Sequence, residues 1–572
     1  MRKESTKYIK PIFLAVLTAM LLVSCGGGGG GGGMVSFSNN SELHNGGDAG
    51  GWGGSGGGNN TSNSSVTGSL SSGAGTFTPP NDIDWSSIEL TITVTSGGTT
   101  TTHTLANTET EAIAELLTSL KRGDVVEVTA DITMVDDDPR TTSSGAVTIG
   151  VGDNHISLPT PYKFSCSMEM TRNMYEDYGC SDTPSDASVS GIQTGIYTVN
   201  NASSVIPPDA SGTGFIFDHW ETVPDGQIYV PGSSRGDVVI SPVFKPDYSV
   251  AYTDLVDTIV ITEQSEFNTL MSTHAAQNFS GKEIKLYCNV STTTGFTNTT
   301  DGFQGIFEGQ EHTVTLAITE NAGTYAGLFY KLGSNADIEN LTTAGSVTLT
   351  TTTGGGGGVG GIAGIASGTI TIKNCINRAA VSNSYELSTV GGIVGESDFS
   401  VTIEQCANRG NIISGCCRIG GITGKTGTSV TIKECYNTAQ ITCSGSVSTD
   451  QPKIGGIVGY HAGIVHHCYN TGSIHVNDVN SNGSGAVGGV CGVNNSGDIA
   501  YCYNTGTLSS DNSDTLGAIH GFISSLTQQA CCTNNPSSTD TVSNANTLFP
   551  SADSSIWVSG SGNRPCLINN PE

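Results

Sequence analysis

The sequence predicts a mainly β protein whose C-terminal half is a repetitive β-solenoid, preceded by small β-rich or α+β modules. Two observations predict the solenoid: a motif recurs with a period near 30 residues, and apolar residues occupy fixed columns within each copy. The composition agrees, because 78 Gly and only 13% charged residues are typical of turn-rich β structure rather than of helical bundles. A chain of 572 residues has room for roughly two to four domains.

The repeat begins with a Gly-Gly-apolar element and, in its first five copies, continues to Cys-x-Asn. The Gly-Gly elements start at Gly360, Gly391, Gly420, Gly455 and Gly488, with a degenerate copy at Gly517. The cysteines are Cys375, Cys406, Cys435, Cys468 and Cys502, spaced 31, 29, 33 and 34 residues apart, and the asparagines are Asn377, Asn408, Asn437, Asn470 and Asn504. Three residues before each Cys and six residues after it, every copy is apolar.

A period of this length suits one solenoid coil per repeat, because a single coil buries too little to be stable and stacked coils share a core. Like residues would then lie above one another at about 4.8 Å. We expect the five Cys to form an interior ladder of small apolar side chains and the five Asn to stack their amides at a corner. The Gly pairs are expected to adopt positive φ at tight corners. The Gly clusters and β-branched columns disfavour a helical repeat.

The copies resemble the GLUG motif, which reads like Gly-Gly-Ile-Val-Gly at Gly455–Gly459 and Cys-Tyr-Asn-Thr-Gly at Cys468–Gly472. The resemblance implies a right-handed parallel β-helix of bacterial surface proteins, including adhesins, and does not by itself imply peptidase activity in the repeats. On this basis 346–525 is the GLUG-repeat β-helix, 248–345 a lead-in that opens with a short helix near Ile261–Phe267, and 526–572 a C-terminal cap. Ile376 and Ala407 stand where the motif has Tyr. These departures count against a stripe of aromatic residues along the surface more than they count against the β-helix fold.

The N-terminus resembles a bacterial lipoprotein signal. Basic residues precede the apolar run Ile12–Val23, which is too short to span a bilayer and ends in Leu22-Val-Ser-Cys25 like a lipobox. The resemblance implies a signal peptide at 1–24 and acylation of Cys25, so that a membrane is a partner through the lipid anchor. Because Gly26 rather than Asp follows Cys25, the outer membrane is the expected location, with the protein exposed at the cell surface. Residues 25–83, rich in Gly, Ser and Asn, are expected to form a flexible tether.

Two modules are expected between the tether and the solenoid. Residues 84–162 alternate apolar and polar side chains around a helical pattern at Thr110–Leu120, which predicts a small β-rich or α+β domain. Residues 163–247 resemble the internalin-type B-repeat, and the resemblance makes Trp220 a core anchor rather than a sugar-stacking platform. Cys166 and Cys180 in this module could form a disulfide after export, or remain free.

Few residues in the sequence indicate chemistry. It contains no H-E-x-x-H, G-x-S-x-G or P-loop motif, and its net charge of −29 disfavours nucleic-acid binding. No cofactor or metal is expected. Asp136-Asp-Asp138 lacks the alternation of a Ca²⁺ loop, and His461, His466 and His467 are interpreted as solvated turn residues rather than a zinc site.

These observations favour a non-enzymatic, lipid-anchored surface protein whose solenoid binds a host protein, matrix or glycan ligand. The alternatives are a β-helix carbohydrate-active enzyme and a structural envelope protein without a specific ligand. The enzyme would need charged residues gathered on one face. The position two before each repeated Cys reads Lys373, Glu404, Lys433, His466 and Ala500, so no acidic or basic column forms there.

Overall fold

The computed structural model describes residues 35–37, most of 88–523, 557–559 and 565–567. The gaps are at 107–108, 110–111, 113–114, 117–118, 134–138, 150–155, 159–160, 198–207, 232–235, 322, 351–356, 385–387, 416–417, 445–450, 478–484, 512–514 and 518. The expected signal peptide, Cys25, Asp136–Asp138 and most of the expected cap lie outside the described residues. Of the residues that the structure describes, 52% are in strands and 5% in helices, which confirms the mainly β class.

The chain divides into two compact units. The first comprises residues 1–167, 189–209 and 220–241, and the second comprises residues 168–188, 210–219 and 242–572. The second unit therefore contains the whole of the predicted lead-in and the predicted repeats.

An antiparallel sheet forms the N-terminal part of the first unit. Its strands lie in the order Thr99–Ala106, Glu89–Ser96, Val125–Thr133 and Pro139–Ser143, with Val147–Thr148 also paired to the third of these. Leu90, Ile92 and Val128 alternate with half-buried polar residues and form its buried core. Of the expected helix at 110–120, Ala112, Glu115 and Leu116 are helical among the residues that the structure describes. A further strand, Val35–Phe37, lies within the expected tether and pairs with Ile156–Leu158.

The module expected at 163–247 contributes residues to both units. In the first unit, Tyr162–Cys166 pairs antiparallel with Thr194–Tyr197 and parallel with the start of Val238–Pro246. Trp220 is 6% exposed, as a core anchor would be. Cys166 and Cys180 are both free thiols, so the structure contains no disulfide between them. The remaining strands are Arg172–Asn173, Ser188–Val189, Ala210–Ser211 and Phe215–Val223, and 3₁₀ turns lie at Glu176–Tyr178 and Tyr252–Asp254.

The second unit contains a parallel β-solenoid of about six turns between residues 306 and 520, which confirms the predicted solenoid. Its strands form four parallel sheets, which we number 1 to 4 in the order in which a repeat passes through them. Sheet 1 contains Tyr325–Ala326, Gly358–Gly360, Thr389–Gly391, Arg418–Gly420, Lys453–Gly455, Ala486–Gly488 and Thr515–Gly517. Sheet 2 contains Phe329–Leu332, Ala363–Ser367, Val394–Asp398, Thr423–Thr426, Val458–His461, Cys491–Asn494 and His520–Ile523.

Sheets 3 and 4 complete each coil on either side of the repeated Cys. Sheet 3 contains Thr258–Ile261, Glu283–Leu286, Ile306–Glu308, Asp337–Glu339, Ile370–Lys373, Val401–Glu404, Thr431–Lys433, Ile464–His466 and Asp498–Ala500. Sheet 4 contains Val290–Thr292, Thr313–Glu320, Thr342–Leu349, Ile376–Asn377, Ala380–Asn383, Ala407–Asn408, Ile412–Ser414, Tyr436–Asn437, Ile441–Cys443, Tyr469–Asn470, Ile474–Val476, Tyr503–Asn504 and Leu508–Ser510. Like residues are in register throughout: Ile372 pairs with Ile403, which pairs with Ile432.

The coils continue upstream of the recognisable repeats. Strand Ile306–Glu308 pairs with Asp337–Glu339, and that strand pairs with Ile370–Lys373 of the first Gly-Gly repeat. The boundary expected at 346 therefore marks where the sequence begins to repeat, and the stack itself begins earlier. Helix Gln264–His274 lies in the expected lead-in and buries Phe267 and Leu270 in the solenoid core. Glu263 and Glu266 form a capping box at its start, which satisfies the first free backbone N–H groups.

The Gly pairs do not have the positive φ that the sequence suggested. Their backbones lie outside the left-handed region, and the Gly instead permit close packing, because a Cβ on Gly392 would lie 2.3 Å from Cγ of Asn408. Positive φ is adopted by the residue directly before each repeated Cys, with values of 51° to 55°. These residues are Asn374, Gln405, Glu434, His467 and Tyr501. The tight corner therefore lies between sheets 3 and 4. The Gly pairs lie at the junction between the strands of sheets 1 and 2.

Candidate functional site

The repeated cysteines form a column of thiols inside the solenoid. Cys375, Cys406, Cys435, Cys468 and Cys502 are free and fully buried. Each Sγ lies 3.1–3.2 Å from the carbonyl oxygen two residues earlier, to which the thiol donates. Burial raises the pKa of the first four thiols well above its usual range. A buried, protonated thiol is a poor nucleophile and a poor metal ligand, so this column is suited to packing.

The repeated asparagines form a hydrogen-bonded ladder. Each side-chain Nδ2 donates to Oδ1 of the Asn in the next coil over 2.7–2.8 Å, from Asn377 to Asn504. Each Nδ2 also donates to the carbonyl oxygen two residues later. At the upstream end, the Thr343 hydroxyl donates to Asn377 Oδ1 over 2.9 Å. The buried amides are thereby satisfied, and they hold the coils in register.

The tyrosines that follow three of the cysteines are buried rather than presented to solvent. Tyr436, Tyr469 and Tyr503 are at most 2% exposed, and successive rings stack with centroids 5.0 Å apart. Leu567, from the C-terminal hairpin Trp557–Ser559 and Pro565–Leu567, belongs to the same buried cluster. The surface aromatic stripe suggested by the motif is therefore not available to a ligand in this state.

His461 is a buried residue, which corrects its interpretation as a solvated turn residue. It is the last residue of Val458–His461 in sheet 2 and is fully buried. Its Nδ1 lies 2.9 Å from the Thr426 hydroxyl, and its Nε2 has no hydrogen-bond partner among the described residues. Burial lowers the pKa of His461 from 6.5 to about 4. His466 is different, because it lies at the surface and pairs with Asp498 over 3.0 Å.

We expect His461 to make the fold sensitive to acid. The folded protein holds the ring neutral down to about pH 4, whereas the unfolded chain binds a proton below about pH 6.5. The stability is thus fully present above pH 6.5 and falls by about 3 kcal/mol as the pH drops to 4. Urea unfolding across this range should show the loss in wild type and in the surface control His475→Gln, but not in His461→Gln. Equal pH dependence in all three proteins would contradict the assignment.

The outward column of sheet 3 contains charged residues of both signs. In register order it reads Lys285, Glu308, Glu339, Lys373, Glu404, Lys433 and His466. Lys433 Nζ lies 2.8 Å from Glu404 Oε2. Over the recognisable repeats, acidic and basic residues are mixed in this column, as the sequence indicated.

A group of carboxylates upstream was missed by the sequence analysis. Glu308 is directly paired with Glu339, and Asp337 lies on the same strand two residues before Glu339. Burial, followed by the nearby carboxylates, raises the pKa of Asp337 and of Glu339. Asn340 Nδ2 donates to both oxygens of Glu308 over 3.0 and 2.9 Å. These residues precede the first recognisable repeat, so no repeated Cys marks their position in the column.

A hydroxyl-rich groove lies between the helix and the first strands of sheet 4. It encloses about 430 Å³ and is lined by Asn268, Met271, Ser272, Ser291, Thr292, Thr293, Thr294, Thr315 and Ala317. Gln264 orders its rim, because its Oε1 accepts from Ser291 N over 2.7 Å and its Nε2 donates to Asn268 Oδ1 over 2.8 Å. No lining residue is charged, although the chain has a net charge of −29. Such a surface offers hydroxyl and amide groups to an uncharged polar ligand.

No protein-family model, curated protein or solved structure matches this chain. Within the described part of the chain, no helix is long and apolar enough to cross a membrane. The same residues contain no group of three or more His, Cys, Asp or Glu side chains that could hold a metal ion.

Proposed function

We propose that this protein is a lipid-anchored scaffold of the bacterial cell surface that binds a host protein, matrix or glycan ligand without catalysis. One observation carries the proposal: the repeated residues serve to hold the stacked coils together. The cysteine and asparagine columns are buried and hydrogen-bonded inside the solenoid. A ligand would therefore contact the solvent-facing surface of the coils. The uncharged groove at the helix supports an uncharged polar ligand such as a neutral glycan.

The anchor and the family are part of the same proposal. The lipobox-like Leu22-Val-Ser-Cys25 supports acylation of Cys25 and attachment to the outer membrane. The recurrence of Gly-Gly-Ile-Val-Gly and Cys-Tyr-Asn supports membership of the GLUG-repeat surface proteins, and the B-repeat-like stretch near Trp220 agrees with a surface location.

Replacing Cys25 with Ala is expected to remove the protein from the membrane, because no other acylation signal is evident in the sequence. The measurement is immunoblotting of membrane and soluble fractions, together with protease shaving of intact cells. Wild type and the control Cys166→Ala should remain in the membrane fraction and be cleaved by external protease. A Cys25→Ala protein that stays with the membrane would refute the lipid anchor.

The groove is tested by placing a bulky charge in it. Ala317 is an exposed lining residue, so Ala317→Arg should fill the groove without disturbing the core. Against a glycan array and immobilised collagen, we expect wild type and the surface control Ile413→Arg to bind alike, and Ala317→Arg to bind at least tenfold more weakly. Equal binding by Ala317→Arg would exclude the groove, and an absence of binding by wild type would favour a structural envelope protein.

A carbohydrate-active enzyme is the second candidate, and the carboxylates Glu308, Asp337 and Glu339 favour it. Carboxyl groups with raised pKa values can serve as general acids in glycoside hydrolysis when a second carboxylate stays ionised. Release of reducing ends from neutral and uronic-acid polysaccharides tests this candidate. Activity that is lost in Glu339→Gln would establish the enzyme, and inactivity of wild type across both classes would remove it.

A further inference from the structure

The first unit contains an unprotected β edge. Strand Thr99–Ala106 forms a hairpin with Glu89–Ser96 through Gly97 and Gly98, whose φ values are 59° and 84°. Positive φ at both turn residues gives the tight two-residue connection that matches the twist of paired strands. The strand lies at the end of its sheet, and every residue in it except the half-buried Leu105 is exposed. Among the described residues, no strand pairs with its outer side.

The backbone groups on that outer side can be identified. Ala106 N donates to Glu109 Oε2 over 2.8 Å, and Glu109 N donates to Ala106 O over 2.9 Å, so the peptide groups of Ala106 point away from the neighbouring strand. In an antiparallel pair this direction alternates along the chain. The N–H and C=O groups of Thr100, Thr102 and Thr104 therefore point outwards, and no described residue bonds to them.

Nothing in the strand discourages further pairing. Exposed edges in soluble proteins are usually blocked by Lys, by Pro, by a bulge or by an inward-pointing charge. Thr99–Ala106 contains neither an acidic residue, nor Lys, Arg or Pro, in a chain with 51 acidic residues. Five of its eight residues are Thr, whose β-branched side chain favours extended structure and cross-strand contacts.

The free groups fit a second copy of the same strand. If two strands meet antiparallel around a two-fold axis at Thr102, Thr102 faces its own counterpart, and Thr100 faces Thr104. In this register each outward residue lies opposite another outward residue, so all the free N–H and C=O groups form pairs. The three Thr side chains of each strand lie on one face and meet across the interface. A register shifted by one residue would place outward groups opposite inward ones.

We propose that Thr99–Ala106 is a self-association site at which two copies of this chain join their sheets into one. A second copy is favoured over an unrelated strand because the pattern is self-complementary and because an uncharged strand avoids the repulsion between two chains of net charge −29. That repulsion remains between the rest of the two molecules, so association should tighten as added salt screens it.

Sedimentation equilibrium of the full chain under reducing conditions tests the site. Wild type should form a dimer, and Thr102→Lys should weaken the dimer at least tenfold by placing two ammonium groups opposite each other. The control is Thr93→Lys on the neighbouring strand, directly paired with Thr102 but away from the edge. It adds the same charge and should dimerise like wild type.

Hydrogen exchange separates this interface from any other. The amides of Thr100, Thr102 and Thr104 should exchange slowly in the wild-type dimer and quickly on dilution, whereas inward amides such as that of His103 should be protected in both. A wild-type protein that is monomeric at every concentration in which it stays soluble overturns the proposal. A dimer that Thr102→Lys leaves unchanged, with these amides still exchanging freely, overturns it as well.

Discussion

Replacing Gly421 with alanine is expected to destabilise the solenoid by at least about 3 kcal/mol. A Cβ at this position would lie 2.1 Å from the carbonyl oxygen of Gly456 and 2.6 Å from Cβ of Asn437. Neither atom belongs to the flexible end of a side chain, so the coils must separate to admit the methyl group. Urea unfolding followed by far-UV circular dichroism should show a lower midpoint, and hydrogen exchange should increase in the coils on either side.

Gly427→Ala is the matched control for this substitution. It lies in the same coil, but its added Cβ would be 3.2 Å from the nearest atom, Oδ1 of the Asp398 side chain. Its stability should remain within about 1 kcal/mol of wild type. If Gly421→Ala were equally mild, the close approach of the Gly pair to the asparagine ladder would be wrong.

Asn437→Ala is expected to cost about 3–5 kcal/mol, because it opens the middle of the asparagine ladder. The side chain donates to Asn470 Oδ1 over 2.7 Å and to Ala439 O over 2.9 Å. It also accepts from Asn408 Nδ2 over 2.7 Å and from Ala439 N over 3.3 Å. Alanine removes these four buried hydrogen bonds and leaves a cavity beside Gly421, although Asn408 Nδ2 keeps its bond to Gly410 O and Asn470 Oδ1 keeps its bond from Gly472 N. The unfolding midpoint should fall accordingly.

An exposed asparagine in the neighbouring coil provides the comparison. Asn411 is at the surface, and its Oδ1 accepts one hydrogen bond, from Gln440 N over 3.2 Å. Water can replace that bond, so Asn411→Ala should cost about 1 kcal/mol or less. Similar losses in the two variants would mean that the ladder adds no more than an ordinary surface contact.

The repeated half of the fold was predictable because the same residue types stack above one another in successive coils, which produces a recognisable pattern in every copy. The spacing of Cys375 and Cys406 and the apolar column at Ile372 and Ile403 follow directly from the register of parallel strands. The first coils, near Ile306, use the same backbone arrangement with different side chains. Their membership of the stack could not be recognised from a repeat that they do not carry.

The sequence was least informative where a property depends on neighbours from other coils. His461 was interpreted as a solvated turn residue, yet its ring is buried and lies against the Thr426 hydroxyl of the preceding coil. The Gly pairs were expected to have positive φ because Gly adopts that conformation readily. In the structure, Gly is required there instead because the side chain of Asn408 or Asn437 lies too close to leave room for a Cβ. Such distances across the coil are not encoded by any local pattern.

The asparagine ladder has a direction, since every amide receives a hydrogen from the upstream side and every amide before Asn504 gives one downstream. Each internal coil consequently presents an asparagine Oδ1 as acceptor to the upstream coil and an asparagine Nδ2 as donor to the downstream coil. One coil can therefore replace another. Unequal recombination between repeats could delete or duplicate a whole coil and leave both new neighbours correctly bonded. The length of the molecule could then change over evolutionary time in steps of about 4.8 Å, without redesign of its interior.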